Sequence, residues 1–284
     1  MLKILIVGHG FVGKAVDYGF SHPQVEKTIV DPNYGLTISD VDVASFDIAF
    51  VCVPTPMGND GAVDSSILDS VLCDLVDHNL TIVVKSTVTP DITTNWPINV
   101  VYNPEFLTEK SANEQFASPP FHVLGGWVDA TRYVEQVYDE YSLCDPCPAL
   151  HMTHEEASFV KYTINSFLAM KVLFFNQLYD AIGETNANFA TIIKAVGMDG
   201  RIGSSHTKVP GFDGKQGYGG ACFPKDTLAF TKFSDQLTLL AKCVNINNDY
   251  RLQYDLDERE IEQNVKYNGQ TEEKLKDQDY GYPI

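Results

Sequence analysis

Three glycines near the start of the chain constrain its fold more than any other feature. Gly8, Gly10 and Gly13 follow the apolar run Lys3–Val7 and precede a helical pattern that extends to about Phe20. In a strand–turn–helix unit, the first glycine permits a tight turn and the second lets a pyrophosphate approach the backbone. The third lets the helix pack closely on the strand. The pattern therefore predicts a dinucleotide site.

The start of this helix and the end of the next strand indicate which dinucleotide binds. The first helical N–H groups, those of Phe11 and Val12, have no partner within the helix and suit an anionic pyrophosphate. Asp31 ends the next strand, where a carboxylate accepts from both ribose hydroxyls and repels a 2′-phosphate. NAD is therefore favoured over NADP. The alternatives are a glycine turn that binds nothing and a site for a flavin.

Short apolar runs alternate with helical patterns through the first half of the chain. After Lys3–Val7, the strand candidates are Thr28–Asp31, Asp47–Val53, Thr81–Lys85, Asn99–Tyr102 and Phe121–Gly125. Helices are predicted over Asp64–Asp77 and Asp129–Tyr141. Continuously apolar strands that alternate with helices are typical of a parallel sheet covered on both faces. The sequence predicts an α/β fold, with an N-terminal Rossmann domain over residues 1–150.

The pattern changes to helices alone from about His154. A long helix is predicted over Glu155–Ile182, followed by Ala187–Val196 and by a stretch from Pro224 to about Tyr250. We therefore expect an all-α central domain over residues 151–256 that contains the long helix. Residues 257–284 are polar and predict a frayed helix and a solvated tail.

Composition excludes several classes of function. The 284 residues carry a formal charge of -18, which repels nucleic acid and anionic membranes. No run approaches the roughly 18–20 apolar residues that a membrane span needs, so we expect no membrane partner. The 6 cysteines have no regular spacing, which favours reduced thiols and a cytoplasmic protein.

Two further loops follow predicted strands. Val53-Pro54-Thr55-Pro56 and Ser86-Thr87-Val88 stand at strand C-termini, the edge at which open α/β sheets bind ligands. Their hydroxyls are candidate contacts for the cofactor, and plain turns are the alternative.

A cysteine stands in a glycine-rich loop at a predicted helix start, in the stretch Gly217–Asp226. Pro224 suits the first helical turn. The helix N-terminus and Lys225 are expected to lower the pKa of Cys222 and favour its nucleophilic thiolate. Asp226, one turn into the helix, can orient or deprotonate a water molecule. A small buried cysteine is the alternative interpretation.

Six motifs together resemble the UDP-glucose/GDP-mannose dehydrogenase family over roughly residues 1–250. They are the glycine fingerprint, Val53-Pro54-Thr55-Pro56, Ser86-Thr87-Val88, Asn103-Pro104-Glu105-Phe106-Leu107, Lys161-x-x-x-Asn165-x-x-Leu168-Ala169-x-Lys171 and Gly219-Gly220-x-Cys222-Phe223-Pro224-Lys225-Asp226.

The resemblance implies a four-electron oxidation of a nucleotide sugar, UDP-glucose first among them, from alcohol to carboxylate with two NAD. Cys222 would add to the aldehyde as a thiohemiacetal, and a second oxidation would give a thioester that water hydrolyses. Lys161 and Asn165 lie one helical turn apart and would stabilise the developing alkoxide. Glu105 and Asp226 would handle protons and water, with Thr87 near the nicotinamide.

The resemblance also implies a substrate site and a homodimer. The expected cofactor contacts are Gly8, Gly10, Phe11, Val12, Gly13, Asp31, Val53, Pro54, Thr55 and Thr87, and the expected substrate contacts are Glu105, Phe106, Leu107, Lys161, Asn165, Arg201, Tyr218 and Gly219. Lys208 and Lys215 are further cations near an anionic substrate. The long central helix is expected to pair two subunits.

The sequence departs from the family pattern at three places. Thr108 and Lys110 stand where the family carries Arg and Gly, and Pro32 follows Asp31. Members normally have a third domain that closes over the nucleotide, which we expect these 284 residues to lack. The alternatives are oxidation of GDP-mannose or a UDP-N-acetylhexosamine, a non-catalytic NAD-binding protein and a two-electron alcohol dehydrogenase.

One other constellation combines Cys144, Cys147, His151 and His154. Two thiols and two imidazoles suit tetrahedral zinc, or the thiols form a redox pair. Only three residues separate the second thiol from the first imidazole, which leaves little room for a ligand loop. We therefore expect unrelated surface and core residues and no metal.

Overall fold

A computed structural model describes residues 1–108 and 111–267 of the chain. The chain divides into two compact units. The first comprises Met1–Thr55 and Val63–Tyr162, and the second comprises Pro56–Ala62 and the chain from Thr163 onward. The division between the two units falls within a long helix. It therefore lies later in the chain than the predicted domain boundary after residue 150.

Seven strands of the first unit form one sheet in the order β2-β1-β3-β4-β5-β6-β7. The strands are β1 (Leu2–Val7), β2 (Val25–Val30), β3 (Ile48–Val51), β4 (Thr81–Val84), β5 (Val100–Tyr102), β6 (His122–Gly125) and β7 (Ala149–Met152). All neighbours pair in parallel except β5 and β6, which are antiparallel. Each predicted strand is present, and none of its ends is displaced by more than three residues.

In the described residues, five α-helices accompany the sheet, besides three short 3-10 helices. They are α1 (Phe11–Gly19), α2 (Ser66–Leu75), α3 (Pro90–Thr93), α4 (Ala112–Ala117) and α5 (Val128–Tyr141). Successive side chains of a strand point to opposite faces. In β1, Ile4 and Ile6 join one apolar cluster with side chains of α1 and α5, whereas Leu5 and Val7 join another with α2. Both faces are therefore buried, which confirms the predicted doubly covered sheet.

The remaining elements are helical, as predicted. They are α6 (His154–Gly183), α7 (Phe189–Val196), α8 (Phe223–Phe233), α9 (Thr238–Arg251) and α10 (Glu258–Glu262). The 30-residue helix α6 begins in the first unit and continues into the second. None of the helices in the described part of the chain is long and apolar enough to cross a membrane. The six cysteines all lie in the described residues, and none of them forms a disulfide bond.

The single helical stretch predicted from Pro224 to Tyr250 is in fact two helices. Helix α8 ends at Phe233, and the next residue, Ser234, adopts an extended conformation. The Ser234 hydroxyl accepts a hydrogen bond from the N–H of Gln236 at 3.3 Å. Such a local side-chain bond competes with helical bonding, so the helix stops here.

The prediction of a solvated segment from residue 257 is wrong for residues 257–267. Asp257 and Glu260 form a reciprocal cap at the start of α10. Glu260, Val265 and Tyr267 are buried. Apolar packing around Met57 and the ionic partners of Glu260 hold this stretch in the second unit. The rest of the predicted tail, residues 268–284, lies outside the described residues.

Candidate functional site

The glycine turn of the first unit has the geometry that its sequence predicts. Gly8 has a φ of +87°, and a Cβ there would lie 2.7 Å from the carbonyl oxygen of Cys52. A Cβ on Gly13 would lie 2.0 Å from the carbonyl oxygen of Gly8, so helix and turn are in direct contact. By contrast, a Cβ on Gly10 would meet no atom within 4 Å. The turn thus leaves open space beside Gly10, where a pyrophosphate fits.

Helix α1 begins immediately after this open space. Its first intrahelical bond runs from the N–H of Lys14 to the carbonyl of Gly10 at 3.0 Å. The N–H groups of Phe11 and Val12 precede that bond and therefore have no helical acceptor. They are suited to hold an anion at the positive end of the helix dipole.

Asp31 follows strand β2 and is held by the backbone. Its carboxylate accepts hydrogen bonds from the N–H groups of His9 at 2.6 Å and Asn33 at 2.8 Å. Burial raises the pKa of Asp31, but these hydrogen bonds outweigh burial and lower it. The carboxylate is ionised at neutral pH and held next to the glycine turn, so it fits a ribose of NAD.

The turn also contains a histidine that the sequence interpretation passed over. The His9 ring lies 2.8 Å from the hydroxyl of Tyr34 and 3.2 Å from the carboxylate of Asp17. Asp17 in turn pairs with Lys27 at 2.6 Å. The signal available in the sequence was the position of His9 between Gly8 and Gly10, inside the glycine fingerprint.

The two hydroxyl-bearing loops are joined by hydrogen bonds. Thr55 donates to the carbonyl of Thr87 at 2.7 Å, and Ser86 donates to the carbonyl of Val53 at 2.6 Å. These reciprocal bonds connect the loop after β3, which includes Pro54, with the loop after β4. The predicted hydroxyls of Thr55 and Ser86 thus position the loops, and Thr87 lies within the same linked pair.

Glu105, Phe106, Leu107 and Lys161 lie together in the first unit. The Lys161 ammonium donates to the carbonyl oxygen of Glu105 and lies 3.3 Å from its carboxylate. The other carboxylate oxygen accepts the N–H of Leu107 at 2.6 Å. The ammonium also lies 5.3 Å from the centre of the Phe106 ring. Both charged residues are buried, so they form a fixed ion pair.

Lys85 is a buried cation that the sequence interpretation missed. Its ammonium donates to the side-chain oxygen of Asn103 at 2.8 Å, and the Tyr138 hydroxyl donates to the same oxygen at 2.8 Å. Burial lowers the pKa of Lys85 to about 8. Lys85 and Glu105 also line a cavity of about 250 Å³. The available signal was a lysine that directly follows the apolar strand β4.

In the second unit, three predicted polar residues form one chain of contacts. The Asn165 amide donates to the Asp226 carboxylate at 2.6 Å, and the Lys225 ammonium pairs with its other oxygen at 2.6 Å. All three side chains are buried. Lys225 was expected to act on the neighbouring thiol, but its charge is directed at Asp226.

Cys222 is exposed and stands at the N-terminal cap of α8. Its carbonyl accepts the N–H of Asp226 at 2.9 Å, the first helical bond of α8. Pro224 occupies the first turn, as predicted. The alternative of a small buried cysteine is therefore wrong, because the residue is accessible at the start of a helix.

Tyr218 and Gly219 have structural roles in the same unit. Tyr218 is buried, its backbone exchanges hydrogen bonds with the Asn247 side chain at 2.7 and 3.0 Å, and its hydroxyl lies 3.3 Å from Thr227. A Cβ on Gly219 would lie 2.3 Å from the guanidinium of Arg251. The sequence analysis missed Arg251. The available signal was a charged residue at the end of a helix that contains both apolar and polar residues.

Each of the predicted loop cations contacts another residue of the second unit. Arg201 is exposed and pairs with Asp199 at 2.6 Å. Lys208 lies 4.8 Å from the Phe212 ring centre. Lys215 donates to the carbonyl of Asp255 at 2.5 Å. Substrate binding by Arg201 stays a prediction. Of the departures from the family pattern, Thr108 bonds to Gln115, and Lys110 lies outside the described residues.

Three of the four candidate zinc ligands, Cys144, His151 and His154, bond to separate partners. Cys144 donates to the carbonyl of Phe116, and the His151 ring contacts Thr131 and Glu135. The His154 ring bonds the carbonyl of Val100. In residues 1–108 and 111–267, no group of three His, Cys, Asp or Glu residues is arranged to hold a metal.

Comparison with known proteins identifies both halves of the chain. Residues 32–142 match the NAD binding domain of the UDP-glucose/GDP-mannose dehydrogenase family, and residues 155–249 match its central domain. A putative UDP-glucose 6-dehydrogenase of Bacillus subtilis is 32% identical over 299 aligned residues, covering 88% of this chain and 68% of that protein. A UDP-glucose 6-dehydrogenase of Rhizobium meliloti is 35% identical over 210 residues, covering 67% of this chain.

A solved structure agrees with the sequence matches. The structure of a UDP-glucose dehydrogenase from Pyrobaculum islandicum aligns with a TM-score of 0.75 at 28% identity, covering 88% of this chain and 68% of that one. The chain spans about half the length of curated relatives such as the Rhizobium protein, 46% of which it covers. The comparisons confirm the predicted resemblance, the fold and NAD as the cofactor of the first unit.

Proposed function

The chain belongs to the UDP-glucose/GDP-mannose dehydrogenase family, and from this premise we propose that it oxidises the primary alcohol of a nucleotide sugar to a carboxylate. The observation that carries the proposal is the exposed Cys222 at the start of α8, in the same unit as the buried Asn165–Asp226 contact. An NAD-binding protein without catalysis needs no such thiol.

Cys222 is the proposed nucleophile. Bound NAD supplies the hydride acceptor for each of the two oxidations. Between them, the Cys222 thiolate adds to the carbonyl carbon of the aldehyde, and the oxygen takes a proton to form a thiohemiacetal. Its oxidation leaves a thioester on the sulfur. Water then adds to the thioester carbon, the carbon–sulfur bond breaks, and carboxylate and free thiol are released.

Lys161 and Asn165 are the proposed oxyanion donors. They stand one turn apart on α6, so their side chains project on the same side of the helix. Each is held by a carboxylate, Lys161 by Glu105 and Asn165 by Asp226. Such fixed donors stabilise developing charge without reorganising during the reaction. Glu105 and Asp226 are the proposed proton-handling groups, and Thr87 is the proposed neighbour of the nicotinamide.

UDP-glucose is the proposed substrate because relatives that match this chain carry that activity in their names. A pairing of two copies through α6 is also proposed. It is supported by Phe167 and Phe174, which lie two turns apart and are 62% and 61% exposed. Sedimentation of the chain as a monomer would contradict the pairing.

A panel of nucleotide sugars tests the function. The chain and NAD are incubated separately with UDP-glucose, UDP-N-acetylhexosamines and GDP-mannose. The amounts of NADH and acid formed are then measured. We expect two NADH per UDP-glucose, and Cys222→Ser to lower acid formation by at least about 10³-fold, as for loss of a covalent nucleophile. Cys73→Ser, at another exposed cysteine, is the matched control.

Each outcome of the panel assigns a function. Two NADH on another sugar would change the substrate but keep the chemistry. One NADH per sugar, with Cys222→Ser as active as the wild type, would indicate a two-electron dehydrogenase. NAD binding with no turnover of any sugar would indicate a non-catalytic protein.

A further inference from the structure

Residues 252–267, which we name the C-terminal strap, place one buried carboxylate against the thiol loop. Glu260 belongs to helix α10 of the strap and is 0% exposed. One of its oxygens accepts the N–H of Gly220 at 3.1 Å, the guanidinium of Arg251 at 2.8 Å and the hydroxyl of Tyr267 at 2.7 Å. Its other oxygen accepts the N–H of Asp257 at 2.9 Å. Four donors therefore fix this carboxylate.

The backbone before Cys222 lies directly on this ion pair. A Cβ on Gly219 would be 2.3 Å from the Arg251 guanidinium and 2.6 Å from the Glu260 carboxylate. Gly220 has a φ of +81° and donates its N–H to the same carboxylate. Only Ala221 separates Gly220 from Cys222 at the start of α8. The Glu260 carboxylate thus determines where the thiol loop turns into the helix.

The strap holds a second loop by its other end. The N–H of Met57 donates to the carbonyl of Gln263 at 2.9 Å, and the Asn264 amide donates to the carbonyl of Met57 at 2.7 Å. Lys266 donates to the side chain of Asn59 at 2.8 Å. Met57 also packs with Tyr267 in one apolar cluster. The strap is therefore also anchored by contacts that do not involve Glu260.

The chemistry of the pair favours a positioning role over a stabilising one. Arg251 is 1% exposed and also pairs with Asp213 at 2.7 Å. Buried ion pairs are costly to desolvate, and apolar residues of similar volume are often as stable. What an apolar residue cannot do is accept a backbone N–H at a defined point. The Gly220 bond is the contact that requires a carboxylate or amide oxygen at residue 260.

We propose that Glu260 is a positioning residue for Cys222, which it holds at the N-terminus of α8 through the Gly220 N–H. The effect of Glu260 on catalysis rests on the proposed function, whereas its effect on the position of the thiol loop does not. Gly219 supports it by leaving room for the ion pair.

The test compares Glu260→Ala, Glu260→Gln and the control Glu262→Ala in the full chain. Glu262 is exposed on the same helix. We expect Glu260→Ala to accelerate amide hydrogen exchange at residues 219–223 about tenfold or more, since a charge-assisted bond is lost. With UDP-glucose, kcat should fall about tenfold while KM for NAD changes less than about twofold. Glu260→Gln, which keeps an acceptor oxygen, should restore most of both.

Gly219→Ala provides an independent variant, because its Cβ displaces the pair without removing a charge. We expect it to accelerate exchange at residues 220–223 as Glu260→Ala does. A folded Glu260→Ala protein with wild-type exchange at these residues and wild-type kcat overturns the proposal, even if it melts at a lower temperature. If the wild-type chain turns over no sugar, the proposed function fails, and the exchange measurements alone decide the role of Glu260.

Discussion

The two units hold their candidate site residues by different forces. In the first, the loops that carry the glycine turn, Asp31 and Thr55 extend from strands whose buried side chains are apolar on both faces. In the second, the thiol loop is held by buried charges, with Asp226, Arg251 and Glu260 each 1% exposed or less. Apolar burial is roughly proportional to area and has no direction, whereas hydrogen bonds require specific atoms at specific angles.

The difference explains what each unit does well. A parallel sheet brings the C-terminal ends of its strands to one edge whatever the details of its apolar packing. That suits a cofactor that binds mainly to backbone groups. A nucleophile and its supporting amide need placement to a fraction of an ångström. The directed bonds of the second unit can supply that placement.

Arg251→Met is expected to give the largest effect, because it leaves Glu260 and Asp213 without their cation. Breaking a buried pair from one side costs about 3–5 kcal/mol. The apolar control Ile6→Val, in β1, should cost about 0.5–1.5 kcal/mol. Urea unfolding of both variants measures the difference. The double variant Arg251→Met/Glu260→Gln should recover part of the loss, and equal losses for Arg251→Met and Ile6→Val would break the comparison.

Buried charges also occur in the first unit, in the Lys161–Glu105 pair and at Lys85, and the titration of Lys85 offers the second test. Burial lowers its pKa from 10.5 to about 8. Between these values the unfolded chain binds a proton at residue 85 that the folded chain lacks. The free energy of unfolding therefore gains a positive contribution as pH rises from about 8 to 10.5, at most about 1.4 kcal/mol per pH unit.

Lys85→Met removes this contribution. We expect the stability of wild type minus that of Lys85→Met to increase with pH when urea unfolding is repeated at about pH 7.5, 8.5 and 9.5. Cys52 and the buried tyrosines are present in both proteins, so their titration contributes to both, apart from the charge interaction of Cys52 with Lys85 itself. Lys14→Met, at an exposed lysine, should give a constant difference. If the stability difference for Lys85→Met were also independent of pH, burial of the Lys85 charge would carry no cost in stability.

Much of the first unit was predictable because its signals are local. Mainly apolar stretches of four to six residues mark β1, β3 and β4, and the glycine fingerprint marks the turn. The thiol loop was equally local, since Gly220, Cys222 and Pro224 define a helix start within a few residues. In each case, the side chains that determine the structure are neighbours in sequence.

The contacts that sequence reasoning missed join residues far apart in the chain. The Gly220–Glu260 and Asn165–Asp226 bonds close separations of 40 and 61 residues. A polar stretch such as residues 257–267 reads as solvated until its partners are known, because nothing in its composition shows that Arg251 lies beneath it. The antiparallel β5–β6 pairing was missed for the same reason, since strand direction depends on the connecting chain.

Gly10→Ala is expected to give the smallest effect and tests whether backbone approach, not packing, governs cofactor binding. Gly10 has a φ of -71°, and a Cβ added there would have free space around it. The free energy of unfolding of the variant should therefore lie within about 0.5 kcal/mol of the wild-type value. The methyl group would nevertheless enter the space beside the helix start. NAD affinity, measured by calorimetric titration, should fall about tenfold. Gly183→Ala, with equally free space at the end of α6, should bind NAD as the wild type does. If Gly10→Ala bound NAD as tightly as the wild type does, side chains and not backbone groups would hold the dinucleotide. The contrast between the two units would then lose its basis, because side chains also hold the thiol loop of the second unit.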